Sequence, residues 1–219
     1  MLKWLDNFWY HHKWAVIITT FFLVVVIVCS VQMANKQSYD SCFMFIGNGG
    51  NITGTQYQDI RSSLKSVSSD VDKDKEISVL FSREAFIADS DDPVASNINS
   101  NITTFMQTTL YQDYYIYFID PVLYEYYKDS GVFVPLADYI DNIPQSIMYD
   151  ERAIKLSHCE FYSYAGISAM PEDTLIVLKT VPYFSSAKKT EYCKSLQSTH
   201  AEIIAKIIEK GILENGTNE

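Results

Sequence analysis

Beyond Trp14 the chain has no tryptophan, and beyond His12 it has only two histidines, His158 and His200. The missing indoles weaken a carbohydrate-binding reading, because all three tryptophans belong to one amino-terminal apolar segment. The scarcity of histidine leaves few bases to activate a nucleophile. His158 adjoins Cys159, but neighbours in an extended segment point to opposite faces. Paired His/Cys metal spacing is absent. The Lys-Ser/Thr of a phosphate-binding loop and the full spacing of a dinucleotide fingerprint are also missing. There is no basic stripe. Asp and Glu number 27 against 17 Lys and Arg, a net charge of −10. That balance argues against nucleic acid and against lying flat on an anionic membrane. Four cysteines do not make a disulfide framework. Cys29 lies in a long apolar run and Cys42 in a shorter one, where it reads as a small buried hydrophobe. Cys159 and Cys193 remain as the candidate disulfide pair, if the domain faces an oxidising exterior.

The most prominent feature present is residues 14–33, WAVIITTFFLVVVIVCSVQM, about twenty residues without a formal charge. Only Thr19 and Thr20 break its apolar face early, and their hydroxyls can bond to the carbonyl one turn back. Trp9, Tyr10 and Trp14 crowd the edge where amphipathic rings prefer the interface. Lys3 and Lys13 precede the span, which predicts a cytoplasmic amino terminus and an exterior chain. No small-residue cleavage pattern follows, and Val28 stands before Cys29 where a lipoprotein signal needs a small residue. The reading is a single-pass signal anchor in the cell membrane. The boundaries are a cytoplasmic segment 1–13, a span 14–33, a linker 34–40, an extracytoplasmic α/β domain 41–213 and a disordered tail 214–219. The exterior part carries about −11, since Lys3, Asp6 and Lys13 go with the anchor.

Within the domain, residues 42–46 form a continuous apolar run, as expected of a strand covered on both faces. Tyr57, Ile60, Leu64 and Val67 then recur at helical spacing. Residues 77–81 and 114–119 read as the second and third strands, with an amphipathic helix between them over 98–109. Asp120-Pro121 is a strong helix start, and Gly131 follows that helix. A short extended segment over 132–136 and a turn of helix over 137–143 come next. Two further strands are expected over 159–165 and 174–181, then a final helix over 188–210. The fold class is therefore α/β, with a mainly parallel sheet and right-handed crossovers. Residues 70–76 alternate carboxylates in the manner of a calcium loop. Lys75, however, stands where the sharp turn wants glycine, and Phe81 where a bidentate glutamate belongs. The stretch reads as a solvated turn.

The run Asp113-Tyr114-Tyr115-Ile116-Tyr117-Phe118-Ile119-Asp120-Pro121 is followed by Leu123, Gly131 and Val134-Pro135-Leu136-Ala137-Asp138-Tyr139-Ile140. This resembles the segment of bacterial extracellular solute-binding proteins that ends their third strand, with its capped helix and "G-x-x-x-P-L" hook. The resemblance covers roughly residues 41–143. It implies the first half of a type 2 periplasmic-binding lobe, with strand order beginning 2-1-3. The layout also resembles small membrane-anchored bacterial proteins. About 75 residues remain after Ile143, less than a second lobe needs. One lobe alone does not bury most of a small ligand.

In open α/β sheets ligands sit beyond the carboxyl ends of the strands. The candidate ligand-binding residues are therefore Asn48, Gly49, Gly50, Asn51, Ser82, Arg83 and Asp120. The glycine loop can present N–H groups to an anion, although a plain connecting loop explains it too. No catalytic residue, metal ligand or cofactor is expected. The functional expectation is a membrane-tethered binding or interaction domain without catalytic activity, with an envelope protein partner or a second copy. The alternative is a reduced single-lobe solute receptor, completed by a partner or a second copy.

Overall fold

The computed structural model describes residues 2–34, 39–48, 52–86, 106, 112–184 and 186–211. The chain divides into two compact units, Met1–Ser38 and Tyr39–Glu219. The first is one helix, α1 (Leu2–Ala34). Its stretch Phe8–Val31 is long and apolar enough to cross a membrane. Phe21, Phe22, Leu23 and Val26 all stand well exposed. A helix that is apolar all round has no polar face to turn to water.

The second unit is a five-stranded sheet with helices on its faces. Its elements are β1 (Ser41–Gly47), α2 (Gly54–Lys65), β2 (Val79–Ala85), β3 (Ile116–Ile119), α3 (Pro121–Tyr127), β4 (Ala153–Lys155), β5 (Leu175–Leu178) and α4 (Ala187–Glu209). The strand order is β2-β1-β3-β5-β4. β1 pairs parallel with β2 and β3 on either side, as the sequence reading expects. β5 runs antiparallel to both β3 and β4, so four strands share one direction and β5 opposes them. Every residue of β1 is buried. Phe43 and Phe45 join Ile116, Phe118, Ile176 and Leu178 on one face, with residues of α2 and α4. Met44 and Ile46 join Tyr117, Ile119, Leu175 and Val177 on the other, with Leu123, Tyr124 and Tyr127 of α3. An apolar run without alternation thus marks a strand covered on both faces.

Asp120 ends β3 and caps α3. Its backbone N–H donates to Ile46 O at 2.9 Å, and its Oδ1 accepts from Val122 N at 2.8 Å. Pro121 takes the first helical position, where it has no N–H to waste. Asp120→Ala is expected to cost about 1 kcal/mol through the lost cap, read as a shift of the denaturant midpoint. A capping box of Thr53 and Gln56 starts α2. One turn apart on that helix, Tyr57 donates its hydroxyl to Phe81 O and Arg61 donates to Val79 O at 2.9 Å. Ser78 O and the Phe86 N–H face β1, so the odd-numbered carbonyls of β2 face away from it, toward the sheet's edge among the described residues. Two of those edge carbonyls are therefore occupied, which blunts the edge against strand addition.

The later part of the chain departs from expectation. Residues 159–165, expected as a strand, are turns of 3-10 helix: Tyr162 N donates to Cys159 O and Tyr164 N to Phe161 O. Phe161 is fully buried, so core packing overrides the β propensity of the aromatics. The strand on that side is instead β4, three residues long and too short to show a period. Residues 137–143 form only one 3-10 turn, Leu136–Asp138. β2 begins later than expected and extends to Ala85. Apart from buried Met106, the expected helix over 98–109 lies outside the described residues, as does the expected tail over 214–219.

Candidate functional site

The parallel strands bring the ends of β1, β2 and β3 to one edge of the sheet. Phe86 N donates to Gly47 O at 3.2 Å, and Asp120 N donates to Ile46 O beside it. A Cβ at Gly47 would lie 3.7 Å from Asp120 Cβ, so the two are neighbours. Asn48 is exposed at this edge. Arg83, also exposed, reaches back to donate to Ile52 O at 2.7 Å, tying the end of β2 to the entry of α2. Ser82 does not join them. It pairs with Met44 in the ladder, three residues short of the end of β1, and its hydroxyl lies 2.9 Å from Tyr114 Oη. Gly49, Gly50 and Asn51 lie outside the described residues. Asp120, Asn48 and Arg83 are thus brought to the edge, with the Asp120 carboxylate already engaged as a cap.

The candidate disulfide is not formed. Cys159 and Cys193 are free thiols, both buried. Cys159 Sγ donates to Lys155 O at 3.6 Å, and burial pushes its pKa up to about 12. Cys193 instead packs in the apolar core on that face of the sheet, where burial and then the nearby Cys193 thiol push the Tyr115 pKa up. His158 does not serve Cys159, since its Nδ1 lies 2.9 Å from Ser146 O. Cys42 is free and buried as expected. Burial, then Asp113, push its pKa up to about 12 against the pull of Lys179. Cys42 and Cys159 are therefore held as protonated thiols and not as nucleophilic thiolates.

Two buried polar groupings escape the sequence reading. One lies around the start of β1. Lys179 follows β5, is 1% exposed, donates to Gln112 O at 2.6 Å and lies 4.9 Å over the Tyr115 ring. Burial pushes its pKa down to about 8, and Asp113 works the other way. Gln197 Nε2 donates to Lys179 O at 2.6 Å, and Tyr139 donates to Gln197 Oε1. The signal was present: Lys179 closes an apolar strand, and Gln197 and His200 sit at core positions of α4.

The other grouping is Asp40, 3% exposed, at the base of the 70–78 loop. Its Oδ1 accepts from Val71 N at 2.6 Å and Asp72 N at 3.3 Å. Its Oδ2 accepts from Ser78 N at 2.7 Å and Ser78 Oγ at 3.0 Å. Burial raises its pKa, but these hydrogen bonds outweigh burial and hold it below the ordinary value. Asp40, Asp70 and Asp72 each place a carboxylate oxygen within 4.8 Å of the others. Most of the oxygens already serve the loop itself. Asp70 Oδ2 accepts from Lys75 N and Asp72 Oδ1 from Asp74 N, while Asp70 Oδ1 is buried without a partner. Lys75 takes positive φ where a metal loop would use its glycine, and Lys73 takes positive φ as well. Millimolar calcium is expected to leave the melting temperature unchanged. A rise that Asp72→Ala erases would overturn the solvated-turn reading.

The chain matches no protein-family model, no curated protein and no solved structure. Its functional reading therefore rests on sequence and geometry.

Proposed function

We propose that this chain is a membrane-tethered binding or interaction domain held outside the cytoplasm, without catalytic activity. The observation that carries the reading is one exposed helix with a membrane-length apolar stretch, in a chain that also carries an α/β unit with exposed polar side chains at its candidate edge. At that edge Asn48 and Arg83 stand exposed beside the entry to α2, while the thiols of Cys42 and Cys159 are buried and protonated. Lys3 and Lys13 before the span support a cytoplasmic amino terminus. The partner is then an envelope protein or a second copy. The second reading is a single-lobe solute receptor completed by such a partner. The parallel order β2-β1-β3 supports it, being the order that the solute-binding resemblance implies.

The test is a thermal-shift screen of the full chain in detergent against sugars, peptides and divalent ions, at two protein concentrations. The interaction reading expects no stabilisation by sugars or ions. The receptor reading expects a small-molecule shift that Arg83→Ala reduces. A small-molecule shift that Arg83→Ala and Asn48→Ala both leave intact would remove the candidate edge from either reading.

A further inference from the structure

Helix α4 is fastened to the sheet in two different ways along its length. Its rear half is held by Ala201, Ile203, Ile204 and Ile207, all buried in the core. The buried positions of its front half are Cys193, Gln197 and His200. Cys193 packs in the apolar core with Leu196 against it, while Gln197 and His200 are held by specific polar contacts: Gln197 to Lys179 O and Tyr139, and His200 to β1. Apolar burial is tolerant of small shifts and of pH. A hydrogen bond is lost when its donor or acceptor changes character, and a buried partner left unsatisfied then costs its full desolvation.

His200 is the contact whose character can change. It is 2% exposed. Its Nδ1 lies 2.7 Å from Leu196 O, and a carbonyl only accepts, so Nδ1 carries the proton. Its Nε2 accepts from the Cys42 N–H at 3.3 Å. The register explains why that N–H needs a side chain. Ile46 O faces β3, so the N–H of Cys42 faces the same way. The β1–β3 ladder, however, begins only at Phe43 and Ile116. Cys42 stands one residue before the ladder, and the imidazole takes the place of the missing strand carbonyl. A second proton on the ring would set Nε2–H against the Cys42 N–H inside the core.

We propose that residues 187–200 form a pH-gated flap, released from the sheet when the His200 ring takes up a second proton. The ring's surroundings favour this. Cys42 faces it from β1, Tyr115 packs against it at 5.2 Å between ring centroids, and Cys193 lies two turns back on its own helix. Among charged groups, Lys179 repels the imidazolium and Asp113 partly offsets it. Burial and Lys179 push the pKa down to about 4 against an ordinary 6.5. The flap is therefore closed above pH 6.5. Its opening constant rises about tenfold per pH unit below that, levelling near pH 4. The apolar rear half keeps α4 seated meanwhile.

The full chain in detergent is labelled with 4,4′-dithiodipyridine at pH 7.5 and 4.5. Each cysteine is read by mass spectrometry against the urea-unfolded chain at the same pH. Cys193 is expected to gain about 70-fold in relative reactivity at pH 4.5, with Cys159 protected at both. His200→Gln, which keeps an acceptor and does not titrate, should hold Cys193 protected at both. Hydrogen exchange on the unmodified chain gives a second reading independent of the variant: 187–200 loses protection at pH 4.5 and 201–209 keeps it. Parallel exposure of Cys159 and Cys193, uniform loss of exchange protection along α4, or an unchanged Cys193 at pH 4.5 would each overturn the flap. So would a His200→Gln chain that is folded at pH 7.5 and opens with the same pH dependence.

Discussion

Gly166→Ala is expected to destabilise the sheet unit by about 3 kcal/mol or more, combining backbone strain with overpacking. Gly166 has φ +76°, a region that costs an L-residue roughly 1–2 kcal/mol. A Cβ there would also lie 2.7 Å from Gln56 O and from Ile60 N, and 2.9 Å from Asp59 Cβ. Two of these are backbone atoms of α2, which cannot swing aside as a side chain can. Next to it, Ser63 Oγ donates to Ala165 O at 2.8 Å and fixes the approach. Gly131 supplies the control. It has the same φ of +76°, but open space surrounds its Cβ position. Gly131→Ala should therefore cost only about 1 kcal/mol, the backbone part. Denaturant midpoints of the two variants, measured with the full chain, separate strain from clash. Equal losses would mean that α2 does not pack on Gly166 as described.

Asp40→Ala is expected to cost about 3 kcal/mol, because it strips acceptors from N–H groups at the base of the 70–78 loop. The amides of Val71 and Ser78 should lose hydrogen-exchange protection first, since they make the two shortest bonds to Asp40. The exposed Asp72 offers a contrast, and Asp72→Ala should cost well under half as much. The pH dependence has a definite sign. The folded-state pKa of Asp40 lies below its ordinary 3.8. Its contribution is therefore complete above about pH 4 and is lost as the pH falls further. The Ala variant should be insensitive to acid over that range, apart from other carboxylates. An Asp40→Ala chain as stable as the parent would show that the loop is held from elsewhere.

What was legible in the sequence was what burial and capping write locally. The run 42–46 announced a central strand because apolar residues on both faces leave no alternation to read. Asp120-Pro121 announced a helix start because the cap needs only neighbouring residues. Alternating strands and helices announced the parallel pairing, and the 2-1-3 order was what the solute-binding resemblance implied. The rest depended on distant partners. Asp40 read as linker because its four acceptor contacts come from residues 31 to 38 positions away. β4 was invisible at three residues. Residues 159–165 carried strand propensity, but Phe161 enters the core from a turn. At the candidate edge, the Asp120 position was legible and the turning of Ser82 toward Tyr114 was not, since it depends on where β2 ends. His200 and Gln197 look like breaks in an apolar stripe until the start of β1 is placed against them.

The central proposal, a spanning helix with the α/β unit outside, is tested most directly by cysteine accessibility in intact cells. Tyr183 is 91% exposed on the sheet unit, and Asn7 precedes the apolar stretch. Chains carrying Tyr183→Cys or Asn7→Cys are treated with a membrane-impermeant maleimide before and after permeabilisation. The account predicts that Tyr183→Cys labels in intact cells and Asn7→Cys only after permeabilisation, with both chains in the membrane fraction after carbonate washing. Labelling of Tyr183→Cys only after permeabilisation, or recovery of either chain in the carbonate supernatant, would contradict it.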